Sequence, residues 1–197
     1  MKNLFAIYGL FGIFQLIYFR IRTKILFKNA RLIRFPIRIR GKKFISVGKG
    51  FTTGFNCRLD AFSEDGNNCI KIGENVQIND YVHIGAVKSI EIGDNVLIAS
   101  KVYIADHNHG NYSEEECDCP MSIPKDRKLY SKKVVIEKNV WIGEFVSILP
   151  GVIIGEGSII GTMSVVNKDI PPYSIAVGSP AKVIKRYNYE TKLWEKV

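Results

Sequence analysis

The sequence predicts an all-β fold in which the chain winds as a three-sided parallel β-helix. Three observations predict this fold: an isoleucine or valine at every sixth residue, a second apolar residue two positions before most of them, and turn-forming residues directly after them. Because alternate residues of a β-strand point to the same side, each V-x-I unit predicts a short strand with one buried side. A helix is excluded, since its apolar period would be about 3.6 residues. The positions of the six-residue repeat are Ile72, Ile78, Ile84, Ile92, Ile98, Ile104, Ile136, Ile142, Ile148, Ile154, Ile160 and Val166.

The turn residues predict how these strands are connected. Glycine and asparagine, as in Gly73-Glu74-Asn75 and Gly93-Asp94-Asn95, accept positive φ and allow a sharp bend after each strand. Three strands and three bends make one coil, and about five coils are expected, because such a repeat buries its apolar side only against its neighbours. The β-helix is therefore predicted over residues 45–180.

The repeat is interrupted between Ile104 and Ile136. The intervening residues show no six-residue pattern, and the interruption begins with His107 and His109, two of the chain's three histidines. Long loops in compact domains are usually functional or disordered. We therefore expect residues 107–133 to form an excursion loop with a functional role.

Residues 1–44 differ from the rest and predict a separate N-terminal arm. Residues 1–50 contain twelve lysines and arginines and no acidic residue, and the 17 residues from Asn3 to Phe19 are uncharged and mostly apolar. That length is at the lower limit for a membrane span, and a signal peptide would carry its positive charge before the apolar segment. The pattern favours a helix at a membrane surface with its basic residues over anionic lipid, and packing on the protein or on a second copy is the alternative. No nucleic-acid-binding motif accompanies the charge, so nucleic acid is not an expected partner.

Composition and cysteine usage exclude other classes. A chain that is 46% hydrophobic and 24% charged is not a disordered one. Its four cysteines form no CxxC pair, which favours a reducing cytoplasm over a disulfide scaffold. No metal is expected at Cys117-Asp118-Cys119, because zinc sites need about four ligands at characteristic spacing.

Two further segments complete a resemblance to a known family. They are Asn139-Val140-Trp141-Ile142-Gly143 and the ending from Val166-Asn167-Lys168-Asp169-Ile170-Pro171-Pro172 to Val177-Gly178-Ser179-Pro180-Ala181-Lys182-Val183-Ile184. Over about residues 45–187 the chain resembles the hexapeptide-repeat acyltransferases, and its ending resembles the acetyl-CoA-dependent sugar O-acetyltransferases. The basic N-terminus and Arg58-Leu59-Asp60-Ala61-Phe62 resemble the O-acetyltransferases of bacterial lipopolysaccharide O-antigen synthesis. The resemblance implies a left-handed winding, acetyl-CoA as co-substrate, and a homotrimer with active sites between subunits. We also expect a short C-terminal helix within the tail, residues 181–197.

The chemistry that the resemblance implies needs a base and an oxyanion donor. A sugar hydroxyl must lose its proton as it attacks the thioester, and a backbone N–H must meet the developing oxyanion. An ungapped alignment from Ile92 places the family's catalytic histidine on His109, and His107 is the alternative. His83 is expected at an outward strand position, in solvent or at a subunit contact. Backbone N–H groups near Gly143 and Glu144 are the expected oxyanion donors.

The resemblance also implies binding residues. Asn79 matches an acceptor-binding asparagine, whereas the family's acceptor aspartate falls on an apolar residue, so Asp80 or Asp60 is expected to replace it. Arg127 and Tyr130 are expected to line the acceptor cleft. The residues expected to bind the pantetheine arm and the phosphates of acetyl-CoA are Trp141, Gly143, Glu144, Gly161, Thr162, Lys168, Lys182 and Lys185.

The sequence therefore predicts an acetyl-CoA-dependent O-acetyltransferase. Its expected acceptor is a sugar hydroxyl of a lipopolysaccharide O-antigen or related surface-polysaccharide precursor, either a sugar or a lipid-linked oligosaccharide. The arm places the enzyme peripherally on the cytoplasmic face of the inner membrane. The alternatives are an N-acetyltransferase of an amino sugar, a zinc hydratase that uses the three histidines, and a non-catalytic β-helix trimer.

Overall fold

The computed structural model describes residues 4–113 and 116–197. Residues 1–3 of the predicted arm and residues 114–115 of the predicted loop lie outside the described residues. In the described part, the helix α1 (Leu4–Leu26) is followed by short strands and two single 3-10 turns, Lys42–Phe44 and Pro124–Asp126. The strands are β1 (Arg38–Arg40), β2 (Ile45–Val47), β3 (Thr52–Thr53), β4 (Arg58–Ala61), β5 (Ile70–Ile72), β6 (Gln77–Ile78), β7 (His83–Ala86), β8 (Ile90–Ile92), β9 (Leu97–Ile98), β10 (Tyr103–Ala105), β11 (His107–His109), β12 (Leu129–Ser131), β13 (Val134–Ile136), β14 (Trp141–Ile142), β15 (Ser147–Ile148), β16 (Ile153–Ile154), β17 (Ile159–Ile160), β18 (Val165–Val166), β19 (Ser174–Val177), β20 (Lys182–Asn188) and β21 (Leu193–Lys196).

Parallel strands form the three sides of a prism, which confirms the predicted parallel β-helix. The first face contains β2, β5, β8, β13 and β16; the second contains β3, β6, β9, β14, β17 and β19; the third contains β1, β4, β7, β10, β15 and β18. Equivalent repeat positions stack in register, so that Ile84 lies beside Ile104 and Ile104 beside Ile148. All three side chains are fully buried, and the interior is a column of isoleucine and valine.

The corners between the first and second faces show why the turn residues are required. Asn75, Asn95 and Asn139 all have positive φ at this corner. Their amides form a ladder, in which Asn75 Nδ2 donates to Asn95 Oδ1 at 3.4 Å and Asn95 Nδ2 donates to Asn139 Oδ1 at 3.2 Å. A Cβ on Gly93 would lie 2.6 Å from the Lys138 backbone nitrogen, so only glycine lets the next coil approach.

The excursion is a hairpin that leaves the corner between the third and first faces. Strands β11 and β12 pair antiparallel, with Asn108 opposite Tyr130. Arg127 connects the distal part of this hairpin, because its guanidinium donates to the Tyr112 hydroxyl and to Ser122 Oγ, each at 2.8 Å. The predicted loop is therefore held by its own hydrogen bonds.

The expected short C-terminal helix is wrong. Strands β20 and β21 form an antiparallel hairpin that extends the second face beyond β19. Side chains along β20 alternate between exposed and half-buried, which is the period of a strand. The Tyr187 and Trp194 rings lie opposite each other across the hairpin with centroids 5.4 Å apart, and such aromatic cross-strand pairs stabilise strands.

The N-terminal helix contacts the prism mainly through its C-terminal half. The Phe19 ring packs against those of Phe35 and Phe55, with centroids 5.7 and 5.9 Å away, and Thr23 Oγ1 accepts the backbone N–H of Ile33 at 2.8 Å. The segment Phe5–Leu26 is long and apolar enough to cross a membrane by length and composition, and 6% of the 18-residue stretch that meets this criterion is buried. The large apolar side chains of α1 that remain exposed are Phe5, Ile7, Tyr8, Leu10, Phe11, Phe14, Ile17, Tyr18, Ile21 and Ile25.

Candidate active site

A buried carboxylate and a histidine lie where the hairpin leaves the prism. Asp106, directly after β10, is fully buried, and its side chain accepts the backbone N–H groups of Val87 at 2.9 Å, Lys88 at 2.7 Å and Ser89 at 2.7 Å. Its Oδ1 is also 2.9 Å from Nδ1 of His107. Because the carboxylate can only accept, we assign the proton to Nδ1, which leaves Nε2 of His107 unprotonated.

The two loop histidines have different surroundings. The His107 side chain is 18% exposed and is oriented by Asp106. His109 is exposed, and within residues 4–113 and 116–197 its ring has no hydrogen-bond partner. The geometry therefore favours His107 over His109 as the base. The chain leaves the coil at Asp106, directly after β10, so His107 is the first residue of the hairpin strand β11.

A second aspartate–histidine pair lies on the same face. The carboxylate of Asp60 accepts Nε and Nη2 of Arg40 at 2.6 and 2.8 Å, and its Oδ2 lies 3.2 Å from Nε2 of His83 and 2.5 Å from Nε of Arg58. Burial raises the pKa of Asp60, but the hydrogen bonds from Arg40 and His83 and the charge of Arg58 outweigh this effect, and the pKa is about 2. Burial lowers the pKa of His83, opposed by its hydrogen bond to Asp60. At neutral pH, Asp60 is thus a carboxylate and His83 a neutral ring.

His83 therefore has a partner that the sequence pattern did not indicate. Its outward position on β7 is confirmed, but it is half-buried and hydrogen-bonded to Asp60 of the preceding coil. Asp60, predicted as an acceptor-binding residue, holds three basic side chains in place. The imidazoles of His83 and His107 both approach Gly85, so the structure brings Asp60, His83 and His107 together.

Two other predicted acceptor residues, Asp80 and Asn79, have their hydrogen-bond partners at another corner of the prism. Asp80 lies at the corner between the second and third faces, where its Oδ1 accepts the backbone N–H of Phe55 at 2.7 Å. Asn79 Oδ1 accepts Nε2 of Gln77 at 3.1 Å at the same corner. Because both are at a different edge from the hairpin, the structure does not bring them beside His107.

The hairpin residues Arg127 and Tyr130 have separate contacts. The Arg127 guanidinium is occupied by groups of the hairpin itself, including the carbonyl of Ser122 at 2.7 Å. Tyr130 is on β12, with Nζ of Lys132 5.4 Å from its ring centroid. Within residues 4–113 and 116–197 there is no group of three histidine, cysteine or acidic side chains that could hold a metal ion.

An apolar row crosses the second face and ends at basic side chains. Trp141 is half exposed on β14 and lies in register between Leu97 and Ile159. The row continues through Ile175 to Lys185, three strand spacings or about 14 Å from Trp141. A row of apolar groups that ends in cations fits a ligand with an apolar arm and phosphates, which is the chemistry of CoA. Lys182, on the same strand as Lys185, is exposed near this end.

The glycines beside this row serve the packing of coils. The Gly143 N–H donates to the Ile160 carbonyl and the Gly161 N–H to the Ala176 carbonyl, both at 2.8 Å. The neighbouring coil therefore already uses the Gly143 N–H, and the expected oxyanion donors near Gly143 and Glu144 remain a prediction. A Cβ on Gly143 would lie 2.7 Å from the Thr162 backbone nitrogen, which explains the glycine.

The remaining predicted CoA residues lie at two different edges. Glu144 and Thr162 are at the corner between the second and third faces, where the Glu144 carbonyl accepts the Met163 N–H at 2.9 Å. Lys168 is exposed on the turn after β18, away from the apolar row. The row and the His107 hairpin thus belong to different faces of the same prism.

A β-helix of six-residue repeats is the fold that the resemblance to the hexapeptide-repeat acyltransferases implied, and this one carries a histidine hairpin and an apolar row that ends in cations. Residues 133–168 match the family described as bacterial transferase hexapeptide (six repeats). The chain is 48% identical over 190 residues to WbbJ of Escherichia coli K12, which is named as a lipopolysaccharide biosynthesis O-acetyl transferase; the alignment covers 96% of this chain and 95% of WbbJ. The protein therefore belongs to the hexapeptide-repeat acetyltransferases, whose left-handed winding the resemblance had implied.

Two further comparisons agree with this assignment. The chain is 41% identical over 123 residues to galactoside O-acetyltransferase of Escherichia coli K12, covering 62% of this chain and 57% of that enzyme. Its fold is similar to that of AntD, an N-acyltransferase from Bacillus cereus solved with dTDP and 3-hydroxybutyryl-CoA, with a TM-score of 0.69 and 27% identity over 86% of this chain and 88% of that one.

Proposed function

We propose that the protein transfers the acetyl group of acetyl-CoA to a sugar hydroxyl of a lipopolysaccharide O-antigen or related surface-polysaccharide precursor. The acetyltransferase class follows from the family, and the acceptor class is supported by the 48% identity to WbbJ over nearly the whole of both chains. The observation that carries the proposal is the buried Asp106, which fixes the His107 ring as a base at the edge of the prism.

The mechanism uses His107 twice. Acetyl-CoA supplies the acetyl group as a thioester. Nε2 of His107 takes the proton of the sugar hydroxyl as that oxygen forms a bond with the thioester carbonyl carbon. His107 returns the proton to the sulfur when the carbon–sulfur bond breaks, and the ring is neutral again at the end of the cycle. Asp106 keeps Nδ1 protonated and stabilises the positive charge that the ring carries between these two transfers.

We propose a homotrimer because the base and the CoA row lie on different faces. Reacting atoms must approach to about 3–3.5 Å, so a thioester on the Trp141 row needs a histidine close to it. In a closed trimer, the His107 hairpin of one chain faces the Trp141 row of another. Trp141 would contact the pantetheine arm, and Lys182 and Lys185 would meet the phosphates.

The function is tested by incubating the protein with acetyl-CoA and a panel of acceptors. The panel contains p-nitrophenyl hexopyranosides, amino sugars and a lipid-linked oligosaccharide, and the measurements are thiol release and product mass. We expect thiol release that depends on a hydroxyl acceptor and a product whose acetyl group is removed by mild alkali, as an ester is. An alkali-stable acetyl group would indicate an N-acetyltransferase, and no thiol release with any hydroxyl acceptor would contradict the proposal.

We further propose that α1 lies on the cytoplasmic surface of the inner membrane, where lipid-linked acceptors would be available. The proposal is supported by exposed apolar side chains, with Phe11 81% and Phe14 62% exposed, and by basic residues that follow them without any acidic residue. Aromatic side chains at the headgroup boundary and basic residues over anionic lipid are the features of an interfacial helix.

Binding of α1 to lipid predicts a specific effect of polar substitutions. The double substitution Phe11→Ser with Phe14→Ser is expected to weaken binding to phosphatidylglycerol-containing vesicles by about tenfold or more, since burying each phenylalanine is worth about 1.5–3 kcal/mol. Vesicle co-sedimentation measures this binding. Leu193→Ser is the matched control, because Leu193 is 64% exposed but lies on the C-terminal hairpin. Equal sedimentation of the double variant and the wild type would exclude this role of α1.

A further inference from the structure

Gly85 is a glycine that neither the backbone nor the packing of coils requires. Its φ is not in the left-handed region, and it lies within β7 in register with Asp60 on one side and Ala105 on the other. A Cβ built on Gly85 would meet only Cε1 of His107 at 3.6 Å and Nε2 of His83 at 3.7 Å, both ordinary contact distances. Glycine here leaves a gap about the size of one methyl group between two imidazoles, and Gly85 itself is buried.

The corner glycines give the contrast. A Cβ on Gly143 would lie 2.7 Å from a backbone nitrogen, and one on Gly155 would lie 2.3 Å from the nitrogen of Pro172. Those positions exclude any other residue because the next coil is too close. At Gly85, by contrast, an alanine would fit, so the missing side chain leaves a notch that two histidine rings border.

The notch is bordered by two aspartate–histidine pairs of different coils. On one side Asp106 orients His107, and on the other Asp60 orients His83 through Nε2 at 3.2 Å. The ring atoms nearest the Cβ position of Gly85 are Cε1 of His107 and Nε2 of His83, so these two atoms are no farther apart than the sum of the two contact distances. Hydrogen bonds of about 2.7–3.2 Å from each ring would therefore reach oxygens on neighbouring carbons of a single sugar.

We propose that the notch over Gly85 is the acceptor subsite, and that His83 binds the hydroxyl adjacent to the one that His107 deprotonates. The enzyme then selects sugars that carry two adjacent hydroxyl groups. Nε2 of His83, the ring atom nearest the notch, donates its hydrogen to Asp60, so Nδ1, on the other side of Cε1, is the ring nitrogen left to accept a hydrogen bond from that second hydroxyl. This inference rests on the proposed acetyl transfer and adds to it the chemical class of the acceptor.

The test compares acceptors that differ by one hydroxyl. The probe is the p-nitrophenyl hexopyranoside that the wild type acetylates fastest, together with its monodeoxy analogues. For the wild type, removing the hydroxyl next to the acetylated position is expected to lower kcat/KM by about tenfold. With the full sugar, His83→Ala is expected to have a kcat/KM about tenfold below that of the wild type. Its kcat/KM values for the sugar and for that analogue are expected to differ by less than about twofold. His83→Gln, whose amide can donate to Asp60 and still accept, is expected to recover part of the discrimination.

The second variant, Gly85→Val, fills the notch with a side chain. Gly85→Val is expected to raise the acceptor KM by about tenfold or more and to leave the KM for acetyl-CoA unchanged. Lys71→Ala is the matched control for His83→Ala, because both side chains donate to a carboxylate of a neighbouring coil. Lys71 donates to Glu91 at 3.1 Å, but on the first face. Thermal unfolding of each variant separates a binding defect from a folding defect.

The outcomes distinguish this inference from the proposed function. If the wild type acetylates a hexopyranoside but His83→Ala keeps the full discrimination, or Gly85→Val keeps the acceptor KM, the inference about the notch is overturned and the acetyl transfer stands. If the wild type releases no thiol with any hydroxyl acceptor, the proposed function fails, and this inference fails with it.

Discussion

Replacement of His107 by alanine is expected to lower kcat by about 10²–10⁴-fold, the usual contribution of a positioned general base. His109→Ala is expected to keep kcat within about twofold of the wild type, because its exposed ring is not oriented by a carboxylate and does not act as the base. The two residues are a matched pair, since both are histidines of β11 and only His107 is bonded to a buried carboxylate.

Initial rates of thiol release at saturating acetyl-CoA measure this difference. The KM for acetyl-CoA should remain near its wild-type value in both variants, because neither histidine belongs to the Trp141 row. Unchanged thermal unfolding of His107→Ala would show that the loss is chemical. A large loss in His109→Ala together with an active His107→Ala would instead support the histidine that the ungapped alignment selects.

The prism could be predicted because its signal is local. A six-residue period requires only that equivalent residues recur along the chain, and Ile84, Ile104 and Ile148 do stack as the period requires. The C-terminal hairpin could not be predicted in this way, because residues 182–188 do not alternate apolar and polar side chains, and the alternation of exposed and half-buried positions along β20 exists only in the folded hairpin.

The site could be predicted only in part, because its partners are brought together by register between coils. Asp60 and His83 are 23 residues apart, and their contact follows from the pairing of β4 with β7 rather than from any motif. The choice between His107 and His109 likewise depends on where the chain leaves the coil. The row from Trp141 to Lys185 combines strands from separate coils with an antiparallel strand that the sequence analysis did not include.

The N-terminal segment and the site are physically connected. Strand β1 lies within the predicted arm, after α1, but it forms the edge of the third face, next to β4 and three strand positions from β10. Its Arg40 binds Asp60 with two hydrogen bonds, and Asp60 in turn holds His83. The same face therefore carries the attachment of the arm, the notch over Gly85 and the base. A lipid-linked acceptor at the membrane would approach the face where it is to be acetylated.

Substitution of Asp106 is expected to affect both folding and catalysis. Asp106→Ala removes the acceptor of three backbone N–H groups, those of Val87, Lys88 and Ser89. Leaving a buried donor of this kind unpaired costs about 1–3 kcal/mol. Because the donors of Lys88 and Ser89 are only partly buried, we expect the free energy of unfolding to fall by about 3 kcal/mol in total. Urea denaturation measures this loss.

Asp106→Asn separates the two roles of the carboxylate. The amide oxygen can still accept backbone N–H groups, so the loss of stability is expected to be smaller than in Asp106→Ala. The amide nitrogen, however, would donate to Nδ1 of His107 and move the ring proton to Nε2, which removes the base. In a serine protease, the same replacement of the aspartate that orients the catalytic histidine by asparagine lowers kcat by about 10⁴-fold. Here we expect kcat to fall by at least about 10²-fold. An Asp106→Asn variant with wild-type kcat would show that the carboxylate serves the fold alone, because a neutral amide would then orient His107 equally well.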